Sequence, residues 1–242
     1  MPAFYFDGTD DNKWLVVDGL QRLSALRNFA VDKTLVLQEL EFQKHLEGKT
    51  FDKLDRSLQR KIEETQIVAY VIKSGTPPEV QFNLFRRINT GGLTLNPQEV
   101  RHALNTGIPA KTIADMADFP EFKQATENKI NNDQRMLDRE LVTRFVAFYV
   151  NKPEEYAPDL DTFLNKSMAK ISLLPAEDIE SMKENFKEAM RYANLIFGNW
   201  AFRRVDHYPK KRAPFNRALF DTWSVGLAKL TIEQREKLLR KK

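Results

Sequence analysis

The chain has 242 residues, 42% hydrophobic and 30% charged, with a formal net charge of +4 and no cysteine. That is the balance of a folded chain, long enough to bury one large core or two small ones, and not of a disordered one. The lack of cysteine excludes disulfides, thiolate catalysis and zinc fingers and favours a cytoplasmic location. No apolar run approaches the roughly 20 residues of a membrane span, and the opening MPAFYFDGTDD lacks the basic start and apolar middle of a signal peptide.

In chain order, residues 3–7 (AFYFD) and 13–17 (KWLVV) read as two strands joined by the turn GTDDN. The Asp18-Gly19 turn then opens an amphipathic helix with Leu20, Leu23, Leu26 and Ala30 on related turns. A short helix or loop is expected over 42–49, a helix over 55–64, and a third strand over 65–73 (TQIVAYVIK), whose β-branched residues favour a sheet. Beyond Gly75 the helical period takes over. Thr76 with Glu79, Asn96 with Glu99 and Thr231 with Gln234 have the spacing of capping boxes. Further helices are predicted over 110–117, 121–128, 137–150, 160–171, 176–197, 214–227 and 232–240, with prolines between several of them. The fold class expected is α+β and predominantly helical. A small α/β layer would occupy residues 1–105 and a helical part residues 106–242.

Charge is unevenly spread. From Trp200 to Lys242 there are twelve Lys or Arg against four Asp or Glu, a local +8 that leaves −4 for the rest of the chain. Arg203, Arg204, Lys210, Lys211 and Arg212 therefore form a candidate nucleic-acid surface, with Phe202 as an aromatic neighbour. A solvated helix end answering its own dipole explains the same charges equally well.

Three constellations have chemical potential. At Asp18, Gly19, Gln21 and Arg22 a strand becomes a helix, where backbone N–H groups and the dipole favour anions. Arg22 adds a planar fork for phosphate. Asp18 would hold a metal ion, orient Arg22 or bind a ribose hydroxyl; alternatively it is simply the helix N-cap. The second is the run from Arg86 through Asn89, Thr90 and Gly91 to Gly92, an anion nest or a plain glycine C-cap. The third is Arg135, Asp138, Arg139, Glu140 and Arg144, where Arg135 and Arg139, and Glu140 and Arg144, are four apart, as in an ion-pair ladder on one helix face; closing over an anionic ligand is the alternative. His45, His102 and His207 have no metal-ligand spacing, and no pattern points to zinc, haem or flavin.

Taken together, the blocks VVDGLQRLSALRNF, FNLFRRINTGGLTLNPQEVRHAL, RMLDRELVTRFVAFY and FNRALFDTW resemble one family. It is the ParB/sulfiredoxin-like domain at the N-terminus of GmrSD-type restriction proteins, marked by a DGQQR motif. The resemblance implies a nucleotide-binding domain in defence against phage or modified foreign DNA, hydrolysing NTP with Mg²⁺. A nuclease subunit or domain would do the cutting as a partner. Asp18, Gly19, Gln21 and Arg22 match the motif, Leu20 standing in place of its first glutamine, and Asn89, Thr90 and Gly91 match the second block. Asp18 and Gln21 would then be catalytic, with Asp18 the metal ligand, and Gly19, Arg22 and Asn89 to Gly91 would hold phosphates. The family also has a segment before its first matching strand, so this chain reads as N-terminally incomplete. The alternative is a non-catalytic module that binds nucleic acid or a partner through its basic C-terminal region.

Overall fold

β1 (Phe4–Gly8) is the middle strand of a three-stranded mixed sheet ordered β2-β1-β3. The computed structural model describes residues 3–9, 14–88, 95–127, 135–205 and 212–241. β2 (Leu15–Asp18) lies antiparallel to β1, with Phe6 opposite Val16. A register slip between Tyr5 and Phe6 brings Tyr5 opposite Asp18. β3 (Ala69–Lys73) is parallel on the other side, with Tyr5 opposite Tyr70, and those two rings stack at 5.1 Å between centroids. β3 is shorter than the predicted 65–73. Its ladder starts where β1 does, and just upstream the Phe4 N–H donates to the Val68 carbonyl at 2.8 Å.

A parallel neighbour needs a long crossover. Here it consists of α1 (Leu20–Leu26), a π-helical turn at Arg27–Val31, 3₁₀ turns at Lys44–Leu46 and Phe51–Lys53, and α2 (Arg56–Glu63). Phe29, Leu46, Phe51 and Leu54 give this crossover its own small core. α3 (Pro78–Ile88) follows β3. The predicted box at Thr76 does not set its start. The Thr76 hydroxyl donates to the Lys73 carbonyl, and the first helical bond runs from the Gln81 N–H to the Pro77 carbonyl.

The remaining helices are α4 (Pro97–Leu104), α5 (Ile108–Ala117), α6 (Pro120–Ala125), α7 (Leu137–Val150), α8 (Leu160–Ile171), α9 (Ala176–Phe197), α10 (Arg217–Lys229) and α11 (Ile232–Leu239). Asn96 and Thr231 close complete capping boxes at α4 and α11, and Asp159 and Asn216 cap α8 and α10. The core of these helices is aromatic: Phe122, Phe145, Phe186 and Phe220 are fully buried. α9 supplies the central ring, Phe186, 4.6 Å from Phe145 and 5.6 Å from Phe122.

The chain divides into two compact units, Met1–Thr94 and Leu95–Lys242. α4 folds with the second because its polar side chains are spent there. Gln98 donates to the Thr143 hydroxyl of α7 at 2.9 Å, and Arg101 donates to Gln98 and to Asp161 of α8, also at 2.9 Å each. The fold is a predominantly helical α+β one with a single small sheet among the described residues, as the sequence leads one to expect.

Candidate functional site

β2 ends on Asp18 and α1 begins at Leu20, so the whole change of direction falls on Gly19. Gly19 is the N-cap, at φ 99° and ψ 9°, and no side chain caps the helix. The expectation that Asp18 is the N-cap is therefore corrected. Its carboxylate is engaged elsewhere: Oδ2 accepts from Arg22 Nη2 at 2.8 Å. The same guanidinium nitrogen donates to the Ala3 carbonyl at 3.1 Å, and the Arg22 Cζ lies 4.7 Å from the centroid of the Phe4 ring. Gly19 packs against that ring so closely that an added Cβ would sit 2.4 Å from Phe4 Cδ1. The first turn of α1 is thus tied to the end of β2 by an ion pair, and to the start of β1 by a bond to the Ala3 carbonyl and a cation–π contact with Phe4.

Of the three roles open to Asp18, orienting Arg22 is the one the geometry displays. Neither side chain of the pair is deeply buried, at 26% and 30% exposure for Asp18 and Arg22. Gln21 is exposed, and so is Leu20 at 63%, which leaves α1 without a buried residue. Of the apolar stripe predicted from Leu20, Ala30 is the member that packs on a core, the small cluster around Phe29. Residues Asn89, Thr90 and Gly91 lie outside the described residues, as do Lys210 and Lys211.

Asp18 does not make a metal cage by itself. One of its oxygens already accepts from a cation, and no cluster of three or more His, Asp or Glu side chains suited to a metal occurs among the described residues. Mg²⁺ at this junction would need the rest of its oxygen shell from nucleotide phosphates and water.

The basic region is less uniform than its sequence. Arg203 Nη1 donates to the Ala213 carbonyl at 2.7 Å, and Arg203 forms an isolated β-bridge with Phe215. Burial pushes its guanidinium pKa below the ordinary arginine value, helped by nearby Arg212 and opposed by Glu127. Arg212 pairs with Glu127, whereas Arg204 is exposed. Phe202, expected to face nucleic acid, is instead only 2% exposed and packs on Phe220.

The predicted ladder on α7 is also corrected, because its members reach to other helices. Arg135 pairs with Glu99 at 3.3 Å, Glu140 with Arg217 at 3.5 Å, and Arg144 makes a two-pronged contact with Asp221 of α10. Arg139 approaches His102 Nε2 at 3.2 Å. Burial, with help from this cation, holds the His102 pKa below its ordinary value.

Sequence reasoning missed Ala3 and Phe4 as members of the junction. A main-chain carbonyl 19 residues from its donor leaves no trace in a sequence. Phe4 had a signal, since a large apolar residue in a strand beside a glycine turn needs that glycine to lack a side chain.

With the junction described, comparison with known proteins gives it a context. Residues 1–106 match the family model described as GmrSD restriction endonuclease, N-terminal domain, the same family that the DGLQR block resembles. The match covers the sheet, the Asp18–Arg22 junction and α4, and sets these residues in a restriction-endonuclease context. It ends before the blocks RMLDRELVTRFVAFY and FNRALFDTW. No curated protein and no solved structure matches the chain. No helix of the described residues is long and apolar enough to cross a membrane.

Proposed function

We propose that the N-terminal unit is the nucleotide-binding domain of a GmrSD-type restriction or phage-defence protein, taking NTP with Mg²⁺ at the strand–helix junction. The observation that carries this reading is the family match over residues 1–106, which contains the whole junction. Asp18 holds Arg22 in place, and the exposed Gln21 amide is the side chain available to a phosphate or to its attacking water. Turnover there would rest on positioning and charge stabilisation of the transferring phosphoryl group. DNA and a nuclease subunit or domain are the partners that belong to this reading.

Calorimetric titration of the chain with NTP and Mg²⁺ tests it. Saturable binding is expected, weakened about tenfold or more in Gln21→Ala, the loss of one hydrogen bond to a charged group. Gln21 is exposed, so this variant keeps the fold, and Arg22→Ala serves as a second control. Absence of binding by the parent chain refutes the proposal.

A second reading, the non-catalytic module, is favoured by one specific observation. Arg22 is engaged by Asp18, Ala3 and Phe4, as an architectural clamp would be. That reading expects DNA affinity that falls with salt according to the phosphates neutralised, unchanged by Gln21→Ala and lost on charge reversal at Arg203 and Arg204.

A further inference from the structure

The loop after α9 builds a second feature. Gly198, at φ 51°, ends the helix, and Gly198–Trp200 makes a single 3₁₀ turn. Phe202 then adopts φ 57°, a left-handed conformation that a phenylalanine rarely takes. Its ring is sunk between Phe215 and Phe220, at centroid distances of 5.8 and 4.9 Å, which holds the backbone there. Such over-determined strain is found where a loop has to present its neighbours in one particular way.

Those neighbours, Trp200 on one side and Arg203 and Arg204 on the other, line a cavity of about 370 Å³ together with Phe197, Leu219 and Trp223. Phe197 braces Trp223 edge-on at 4.7 Å, leaving the indole 38% exposed. The described lining residues include two arginines and no acidic side chain. Arg203 is pinned by its bond to Ala213, whereas Arg204 is an exposed cation at the rim.

Two indoles select a flat π-system, and the arginine side chains among the described lining residues favour an anion. A purely apolar ligand would bring no charge to answer the exposed Arg204. We propose that this cavity takes a single nucleotide, its base against Trp200 and Trp223 and its phosphate toward Arg204. Base stacking on aromatic side chains tolerates any base, and the volume falls in the range of small-ligand sites. The nucleotide comes either from the free pool or as an unpaired residue of a DNA strand. This site is built wholly from residues of the second unit and does not depend on the Asp18–Arg22 junction.

The test uses the full chain in a Trp14→Phe background, so that emission reports only Trp200 and Trp223. AMP, ATP and a short single-stranded oligodeoxyadenylate are titrated in parallel. Saturable quenching is expected, and Arg204→Glu, an exposed change, weakens it at least about tenfold. Tighter binding of the oligonucleotide identifies a DNA strand as the source; tighter binding of AMP or ATP identifies the free nucleotide. Arg22→Ala leaves the quench in place, which separates this site from the junction. The proposal is overturned by the absence of quenching with every probe, by quenching indifferent to Arg204→Glu, or by loss of quenching in a folded Arg22→Ala protein.

Discussion

Gly19 is required twice at the same point. Its φ of 99° is left-handed, and the space a Cβ would fill belongs to the Phe4 ring, 2.4 Å away. Gly19→Ala should therefore cost about 2–4 kcal/mol, the sum of a positive-φ penalty and an overpacked contact. Gly48 is the control, since its φ is 75° but nothing lies within 4 Å of an added Cβ. Gly48→Ala should lose only about 1–2 kcal/mol. Urea denaturation of the two variants, followed by circular dichroism, checks the difference. His102 gives a second expectation at this scale. Burial and Arg139 hold its folded pKa below the ordinary 6.5. The unfolded chain therefore binds the proton more readily than the folded one. Stability is complete above 6.5 and declines as the pH falls from there through the folded value. His102→Gln should flatten that decline in denaturation curves measured across the same window. Both residues stood out in the sequence, Gly19 as a turn and His102 as an unassigned histidine. Their reasons did not, because Phe4 and Arg139 meet them only in three dimensions.

Among the elements, local signals were legible and long-range ones were not. The boxes at Asn96 and Thr231 form as read because donor and acceptor lie three residues apart. α7, α8 and α9 have the boundaries that their apolar period predicts. The charges of α7 were misassigned for the opposite reason, since spacing reveals only partners on the same helix. Arg144 pairs instead with Asp221, 77 residues away, with side chains 11% and 15% exposed. Removing the carboxylate by Asp221→Ala leaves a guanidinium stranded against α10 and should cost about 3 kcal/mol. Glu184, paired with Lys187 on the surface of α9, is the comparison. Glu184→Ala should change stability by less than about 0.5 kcal/mol. Equal losses in the two variants, read from denaturant midpoints, would mean that the α7–α10 tie is no more than a surface contact. Trp223 reads in the sequence as a core aromatic alongside Phe215 and Phe220, and Trp200 carries no pattern at all. An aromatic at helical spacing reads as core, and only the folded loop after α9 sets these two along a cavity.

At the scale of the whole chain there are two compact units. The family match falls on the first and on α4, whereas the +8 excess lies in the last 43 residues, from Trp200 onward. Nucleotide recognition is thus proposed at the junction by family and motif, and at the α9 loop by aromatic walls and arginines. The junction is the central claim, and photolabelling addresses it without any mutation. An ATP analogue with an aryl azide on its γ-phosphate is bound with Mg²⁺, irradiated and followed by tryptic mapping. Trypsin releases WLVVDGLQR, residues 14–22, as one peptide, and the cavity loop falls in YANLIFGNWAFR, residues 192–203. Label on the 14–22 peptide, removed by excess ATP, is the result expected of a phosphate site at Asp18–Arg22. Label confined to 192–203, or no label that ATP removes, would contradict it.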